Sequence, residues 1–228
     1  MCIRDRIYAA CDSIKDTLEY DFYTEKQFSY EGLSLQESVK HLAKFTSDIW
    51  QIHPFCEGNT RTTAVFVIKY MKTFGLEVSN DVFAEHSWYF RNALVRANYN
   101  NLKNGIHATT EYLELFFSNL LLNTNYELKN RFIHVDYESK LETGNIQSEM
   151  KNVLKGKNFT LNFTLEELAI LRLIAADPAI TQKEIAVKIG KSDRTVKNKM
   201  AMLQDKQYIR RMNGKRNGRW EILVELPS

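Results

Sequence analysis

Apolar residues at helical spacing outline the first long helix of the chain. Ser34 and Glu37 have the spacing of a capping box, in which the serine oxygen accepts a hydrogen bond from an unpaired backbone N–H and the glutamate reaches back to the cap. Apolar positions then recur every three or four residues as far as Trp50. Pro54 cannot continue a helix and disfavours the helical conformation in the residue before it. His53 is therefore predicted to lie at the C-terminal end of this helix.

Further helices are predicted between this helix and residue 135. One covers residues 60–74 and is ended by Gly75. Apolar residues surround most of its circumference, which predicts that it is buried in the centre of its domain. The other two cover residues 87–98 and 108–122. Upstream, aromatic and polar residues alternate over residues 21–33, which predicts a short β-hairpin.

A different pattern begins at residue 163. Two more capping boxes, headed by Thr164 and Thr181, and a cap at Ser192 each introduce a helix. The segments 208–211 and 220–224 then predict two strands separated by Asn-Gly turn formers. Three helices followed by a hairpin is the layout of a winged helix-turn-helix. The polar, weakly periodic residues before this unit are predicted to form a connector.

The composition is that of a soluble globular protein, with 44% hydrophobic and 26% charged residues. No apolar run approaches the length of a membrane span and no charged-then-apolar leader opens the chain, so we expect neither a membrane span nor a secretory signal. The three cysteines form no CxxC pair, which argues against a disulfide framework or a zinc site. This usage favours a reducing compartment, and we expect a cytoplasmic protein.

The net charge of +3 is distributed unevenly along the chain. Residues 151–228 hold 16 of the 31 basic and 8 of the 28 acidic residues, a balance of +8, which leaves 15 basic and 20 acidic residues and a balance of −5 elsewhere. Such asymmetry indicates two parts with different partners, and it makes the C-terminal part a candidate for binding nucleic acid.

The segment from His53 to Arg61 carries most of the candidate chemistry. A turn that leads into a helix N-terminus is an anion site, because unpaired backbone N–H groups and the helix dipole both face it. Gly58 leaves such a turn unobstructed, and the Arg61 guanidinium suits phosphate oxygens. The Glu57 carboxylate suits Mg²⁺ held jointly by protein and phosphates. His53 could accept a proton from an incoming hydroxyl group. The alternative without catalytic chemistry is a histidine at a helix end beside an ordinary turn.

This segment, written His53-Pro54-Phe55-x-Glu57-Gly58-Asn59-x-Arg61, resembles the HPFx(D/E)GNxRxxR motif of the Fic (filamentation induced by cAMP and death-on-curing) family. The resemblance implies a mainly α fold, in which residues 1–135 form a helical Fic domain with a small β-hairpin flap and a truncated N-terminus. Residues 136–158 would be the connector, and residues 159–228 would be a winged-helix domain of the α+β type.

The resemblance also implies an activity, because most active Fic proteins transfer AMP from ATP to a protein hydroxyl. His53 would be the general base for a Ser, Thr or Tyr hydroxyl of a target protein, Glu57 would hold Mg²⁺, and Phe55 would anchor the turn in the core. The expected nucleotide-binding residues are Phe55, Gly58, Asn59, Thr60, Arg61, Tyr89 and Asn92. The segment 21–33 would be the flap that docks the target chain as an added strand.

Two positions depart from the family pattern. Thr60 stands where the family has Gly or Lys, and Ala64 replaces the second arginine of the motif. The inhibitory (S/T)xxxE(G/N) motif, which pairs with that arginine in the family, does not occur in the sequence. These departures leave open a phosphotransferase of the death-on-curing type. They also leave open a transcriptional regulator whose Fic site is inactive and only senses a nucleotide.

Double-stranded DNA is the second predicted partner, through residues 159–228, and a homodimer is left open. On the helix that begins after Ser192, Arg194 and Asn198 lie opposite the apolar face, with Lys191 nearby, where a recognition helix would meet a major groove. The hairpin would add three basic residues that reach phosphates: Lys215, Arg216 and Arg219. The alternative is a winged helix that contacts proteins, with these basic side chains merely solvated.

Overall fold

A computed structural model describes residues 8–135, 163–213 and 218–226 of the chain. Over these residues the protein is mainly helical, and a two-stranded antiparallel sheet lies near the C-terminus. The predicted fold class is thus confirmed. The predicted connector at 136–158, and the start of the C-terminal domain at 159, lie outside the described residues.

The N-terminal domain is a stack of helices around α2. Its elements are α1 (Ile14–Gln27), α2 (Leu35–Ile52), α3 (Asn59–Lys72), α4 (Asp81–Glu85), α5 (Ser87–Ala97), a 3₁₀ turn (Leu102–Asn104), α6 (Glu111–Leu122) and α7 (Asn130–Ile133). The capping box at Ser34 and Glu37 is present and begins α2 as predicted. Because α2 packs against α1, α3, α5 and α6, it fixes the position of everything attached to its ends.

The predicted hairpin over 21–33 is wrong, because α1 continues to Gln27. Leu18 and Phe22 of this helix pack against a small apolar cluster of α2: Phe45, Ile49 and Ile52. The residues that alternate in the sequence belong to a helix face followed by a turn. No strand is present between residues 8 and 35 to accept a target chain by strand addition.

Helix α3 is less buried than its composition predicted. Four residues spaced one turn apart face the core: Asn59, Thr63, Val67 and Met71. Val65, on the outer side, is 50% exposed. This helix therefore covers one side of α2 rather than running through the centre of the domain.

A buried carboxylate joins α1, α2 and α3. Glu25 accepts hydrogen bonds from the Tyr30 hydroxyl at 2.8 Å and from the Tyr70 hydroxyl, and it lies 2.7 Å from Nε2 of His41. Burial raises the pKa of Glu25, but the hydrogen bonds from His41, Tyr70 and Tyr30 together outweigh it and hold that pKa below its ordinary value. Glu25 is thus expected to be ionised in the folded protein at neutral pH.

Replacing this carboxylate should change the pH dependence of stability. The folded-state pKa of Glu25 lies below its ordinary value of 4.5, so its stabilising contribution is present above pH 4.5 and is lost as the pH falls through the folded pKa. At pH 7 we expect Glu25→Gln to lower the free energy of unfolding by about 1–3 kcal/mol. Denaturant titrations should show this gap closing in acid, whereas exposed Glu19→Gln should follow the wild type at every pH. A gap that is constant with pH would contradict the assignment.

The C-terminal domain comprises α8 (Leu165–Ala176), α9 (Gln182–Ile189), α10 (Asp193–Asp205), β1 (Ile209–Met212) and β2 (Arg219–Ile222). The capping boxes at Thr164 and Thr181 and the cap at Ser192 are all formed. The strands pair antiparallel with Ile209 opposite Ile222. Trp220 fixes the hairpin to the helices, since its Nε1 donates to the carbonyl oxygen of Ile180 at 3.2 Å.

The two domains share one hydrophobic core, although the sequence predicted them as separate units. A Cβ placed on Gly75, just after α3, would lie 2.5 Å from Cγ2 of Ile189 at the end of α9. The Arg172 side chain of α8 donates to the carbonyl oxygen of Leu121 at 2.8 Å. The C-terminal domain is therefore packed against the N-terminal one at these points.

Candidate functional site

The turn between α2 and α3 begins and ends in left-handed backbone. His53, the C-cap of α2, has φ 56° and ψ 54°, and Gly58, the N-cap of α3, has φ 77° and ψ 6°. A left-handed conformation is natural for glycine but uncommon for histidine. The short turn that follows His53 thus leads directly into the N-terminus of α3.

The Asn59 side chain holds this turn closed. Its Oδ1 accepts from the Phe55 backbone N–H at 3.0 Å, and its Nδ2 donates to the Phe55 carbonyl oxygen at 2.6 Å. Asn59 is itself buried, and its own carbonyl oxygen accepts from the Thr63 hydroxyl at 2.8 Å. The sequence predicted Asn59 as a phosphate ligand, but the oxygen and the nitrogen of its side-chain amide both form hydrogen bonds with the Phe55 backbone. Its observed contacts make it a positioning residue for the turn.

Removing this amide should open the turn. We expect Asn59→Ala to lower the free energy of unfolding by about 1–3 kcal/mol, because the backbone N–H and carbonyl of Phe55 both lose their part-buried hydrogen-bond partner. Asn92→Ala is a matched control, since its half-buried side chain makes a hydrogen bond to Asn130 at 2.8 Å, away from the turn. Denaturant titration of both variants measures the difference. Equal losses would show that the Asn59 clamp has no special role.

Two aromatic rings flank His53. The Tyr8 ring is stacked on the imidazole with centroids 4.0 Å apart, and the Trp50 ring meets it edge-on at 5.5 Å. Nothing in the sequence around Tyr8 signalled this contact, because it joins residues far apart in the chain. Trp50 could have been found from its spacing, since it precedes His53 by three residues on the same helix. Together the two rings fix the plane of the imidazole.

Glu57 and Arg61 are both exposed at the open side of the turn. The Arg61 guanidinium folds back over Gly58, where an added Cβ would lie 3.5 Å from its Nη2. The backbone N–H groups at the α3 N-terminus and this guanidinium give the turn a positive potential suited to phosphate. The Glu57 carboxylate fits Mg²⁺, a cation that keeps waters and substrate phosphates among its ligands and needs few from the protein.

Phe55 does not anchor the turn in the core, as the resemblance implied, because it is 51% exposed. Its backbone is held by Asn59, so the ring is left at the surface. There it lines a cavity of about 210 Å³ between α1 and the turn, together with Pro54 and the apolar side chains Leu18, Phe22 and Phe66. Phe55 is therefore part of the rim of an apolar cavity beside the site.

The two residues that depart from the family pattern are placed differently. The Thr60 hydroxyl accepts from Nε1 of Trp50 at 3.1 Å, which ties the first turn of α3 to the last turn of α2. Ala64 is half-buried one turn further along α3 and packs against the core. The hydroxyl of Thr60 thus has a structural contact that a glycine or lysine at this position could not make.

Two residues predicted to shape a nucleotide pocket are engaged elsewhere. Tyr89 is only 3% exposed and belongs to the core around α5, and burial raises its pKa above the ordinary range. Asn92 is bonded to Asn130 at the start of α7. The Tyr89 side chain is therefore enclosed by the packing of the domain.

The comparisons with known proteins agree with this geometry. The Fic/DOC family model matches residues 4–71, a range that contains α1, α2, the clamped turn and all of α3 except its last residue. A model described as winged helix-turn-helix DNA-binding matches residues 167–210, which contain α9, α10 and all of α8 except its first two residues. The Fic/DOC match is thus to residues 4–71, the part of the chain that contains the clamped turn. No curated protein and no solved structure among those compared matches the chain.

Three residues predicted to contact DNA lie at the surface of the described structure. Arg194 and Asn198 of α10 and Arg219 of β2 are exposed. Lys191, by contrast, is paired with Glu166 of α8, its Nζ 2.9 Å from the carboxylate. Lys215 and Arg216, predicted at the tip of the hairpin, lie outside the described residues. Among the described helices, none combines the length and apolar character that crossing a membrane requires.

Proposed function

We propose that the protein is a Mg²⁺-dependent protein adenylyltransferase, which moves AMP from ATP to a hydroxyl of a target protein. The observation that supports it best is the clamped turn, in which Asn59 of α3 bonds the backbone of Phe55, two residues after His53. The Fic/DOC match covers the same residues. A base on one rim and a phosphate-binding helix end on the other are the two parts that in-line transfer to a hydroxyl requires.

Each exposed group of the turn has a role in this proposal. His53 takes the proton from the attacking hydroxyl, in the orientation set by Tyr8 and Trp50. Arg61 and the backbone N–H groups of Gly58, Thr60 and Arg61 bind the phosphates, while Glu57 holds Mg²⁺. When bound, Mg²⁺ neutralises phosphate charge and helps to align the phosphates. Asn59 holds these groups in position through its hydrogen bonds to the Phe55 backbone.

The transferred group distinguishes the proposal from its nearest alternative. We expect label from ATP carrying labelled α-phosphate to appear on protein, and label from γ-phosphate to stay in solution with pyrophosphate. Gel separation after incubation with Mg²⁺ and each form of labelled ATP provides the test. Labelling from the γ-phosphate alone would overturn adenylyl transfer.

A phosphotransferase of the death-on-curing type is the second candidate. The observation in its favour is Ala64, whose short side chain leaves the position of the family's second arginine without a cation for the γ-phosphate. Thr60, tied to Trp50, departs from both patterns. The arginine and glutamate of the family's inhibitory pair are absent together in this sequence, which is consistent with an adenylyltransferase that lacks this inhibition.

We also propose that the C-terminal domain binds double-stranded DNA in the cytoplasm, with Arg194 and Asn198 of α10 directed at the major groove and Arg219 at phosphates. The net charge of +8 over residues 151–228 supports this partner. Binding should weaken steeply as salt rises, because phosphate contacts release counterions. A protein with this DNA binding but no transfer activity would instead be a nucleotide-sensing regulator.

A further inference from the structure

A cleft of about 780 Å³ separates the Fic domain from the recognition helix. Its Fic wall is an acidic segment, residues 31–37, which comprises the end of the α1–α2 loop and the first turn of α2 and contains Glu31 and Glu37. Its other wall is mainly α10, with the start of α8. The helix expected to meet DNA therefore has a carboxylate-bearing segment directly across from it.

Helix α10 presents three different faces. Its core face carries buried apolar residues: Val196, Met200 and Leu203. Its outward face carries Arg194 and Asn198, which are exposed. The face toward the cleft carries Thr195, Lys199 and Met202. Asn198 also lines the cleft, so the outward face and the cleft face meet at this residue. Duplex DNA seated on the outward face would bring its backbone to the edge of the cleft.

The charges in the cleft oppose a DNA backbone there. Lys199 lies 3.8 Å from Glu31 across the cleft and 3.5 Å from Glu166 on its own domain. Lys206 is held by Glu167 at 2.7 Å. These carboxylates neutralise the ammonium groups of Lys199 and Lys206, and the Glu31 side chain, 80% exposed, would repel phosphates brought to the edge of the cleft.

The contact between the domains is tight on one side and open on the other. Gly75 against Ile189 and Arg172 against Leu121 form the packed side. The cleft forms the open side, bridged by the long Lys199–Glu31 ion pair. A pair of domains packed along one edge can open by rotating about that edge. The energy needed on the cleft side is small, because the pair is 3.8 Å long and its Glu31 partner is 80% exposed, and such a pair contributes about 0–1 kcal/mol.

We propose that the acidic segment of the Fic domain competes with duplex DNA for the flank of α10, and so holds the recognition helix in a low-affinity state until the cleft opens. The inference rests on the proposed DNA binding by α10. It also connects DNA to the Fic site, since Tyr30, next to Glu31, donates to Glu25, which in turn accepts from Tyr70 on α3. Opening the cleft would move the segment that directly follows Tyr30 of this hydrogen-bonded cluster.

The test compares charge variants of the full chain in binding a labelled random-sequence duplex, followed by fluorescence anisotropy. Glu31→Gln removes the carboxylate without disturbing packing, because the side chain is exposed. Glu19→Gln is the matched control: it makes the same change in net charge at an exposed site on α1, where Glu19 pairs with Lys15 and does not line the cleft. We expect Glu31→Gln to bind roughly three- to tenfold more tightly than wild type at low salt, and Glu31→Lys more tightly still.

Hydrogen exchange gives a second measurement, which a change in net charge alone would not affect. Saturating wild-type protein with duplex should speed exchange of amides in residues 31–37, because the opened cleft exposes them. Equal affinities for Glu31→Gln and Glu19→Gln, or unchanged exchange in this segment, would overturn the inference while leaving DNA binding intact. A chain that binds no duplex in any variant, Glu31→Lys included, would overturn the DNA partner and the inference with it.

Discussion

The His53→Ala protein should transfer its nucleotide group about 10²–10⁴-fold more slowly than wild type, because a positioned general base contributes a factor of that size. The phosphate-binding groups at the α3 N-terminus remain in place in this variant, so ATP should still bind. The measurement is the initial rate of label transfer at saturating ATP and target. A rate within threefold of wild type would contradict the assignment of His53 as base.

A second variant separates the loss of the basic nitrogen from the strain that a new residue puts on the backbone at position 53. His53 is in the left-handed region, with φ 56°, where alanine is strained by about 1–2 kcal/mol. Asparagine adopts this conformation more readily but has no basic nitrogen. His53→Asn should therefore be as slow as His53→Ala while unfolding closer to wild type in denaturant. If the asparagine variant transferred at the wild-type rate, the loss in alanine would reflect a distorted turn.

The Gly75→Ala protein should be the least stable of the single variants considered. The added Cβ would lie 2.5 Å from Cγ2 and 3.0 Å from Cα of Ile189, so no change of rotamer on Ile189 can relieve the overlap. Left-handed backbone at φ 75° adds its own strain. We expect the free energy of unfolding to fall by about 3–5 kcal/mol, from the sum of overpacking and backbone strain.

Gly105→Ala is the matched control for this prediction. Gly105 has φ 67° and no atom within 4 Å of an added Cβ, so its variant has only the backbone strain, about 1–2 kcal/mol. Denaturant titration gives the loss in free energy of unfolding for each variant, and the difference between the two losses is the cost of the overlap between the domains. In addition, Ile189→Ala should restore part of the stability lost in Gly75→Ala, since neighbouring substitutions are not additive. Equal losses at Gly75 and Gly105 would contradict the packing of the two domains at this point.

Helix boundaries were predictable wherever the signal is local. Ser34, Thr164, Thr181 and Ser192 each begin a helix as predicted, because a cap and its partner lie within one turn of chain. The hairpin predicted over residues 21–33 was wrong because a short run of aromatic residues is compatible with a strand and with a helix end equally well. Packing of Phe22 against α2 decides between them, and that contact is not visible in local sequence.

The candidate site was predictable in its residue types and less so in their roles. The spacing from His53 to Arg61 identified the turn and the α3 N-terminus. It did not reveal that the side-chain amide of Asn59 forms hydrogen bonds with both backbone groups of Phe55, or that the Phe55 ring remains exposed. Tyr8 and Gly75 were missed because their partners, His53 and Ile189, are distant in sequence. Contacts of this kind depend on how the helices pack, which no local pattern encodes.

Mass spectrometry of a hydroxyl-bearing target incubated with the protein, Mg²⁺ and ATP tests the central claim most directly. Fragmentation of modified peptides identifies both the added group and the side chain that carries it. The clamped turn and the Fic/DOC match lead us to expect one adenylyl group on a Ser, Thr or Tyr, present with wild type and lost with His53→Ala. A phosphoryl group in its place, or an adenylyl group that persists in His53→Ala, would contradict the account.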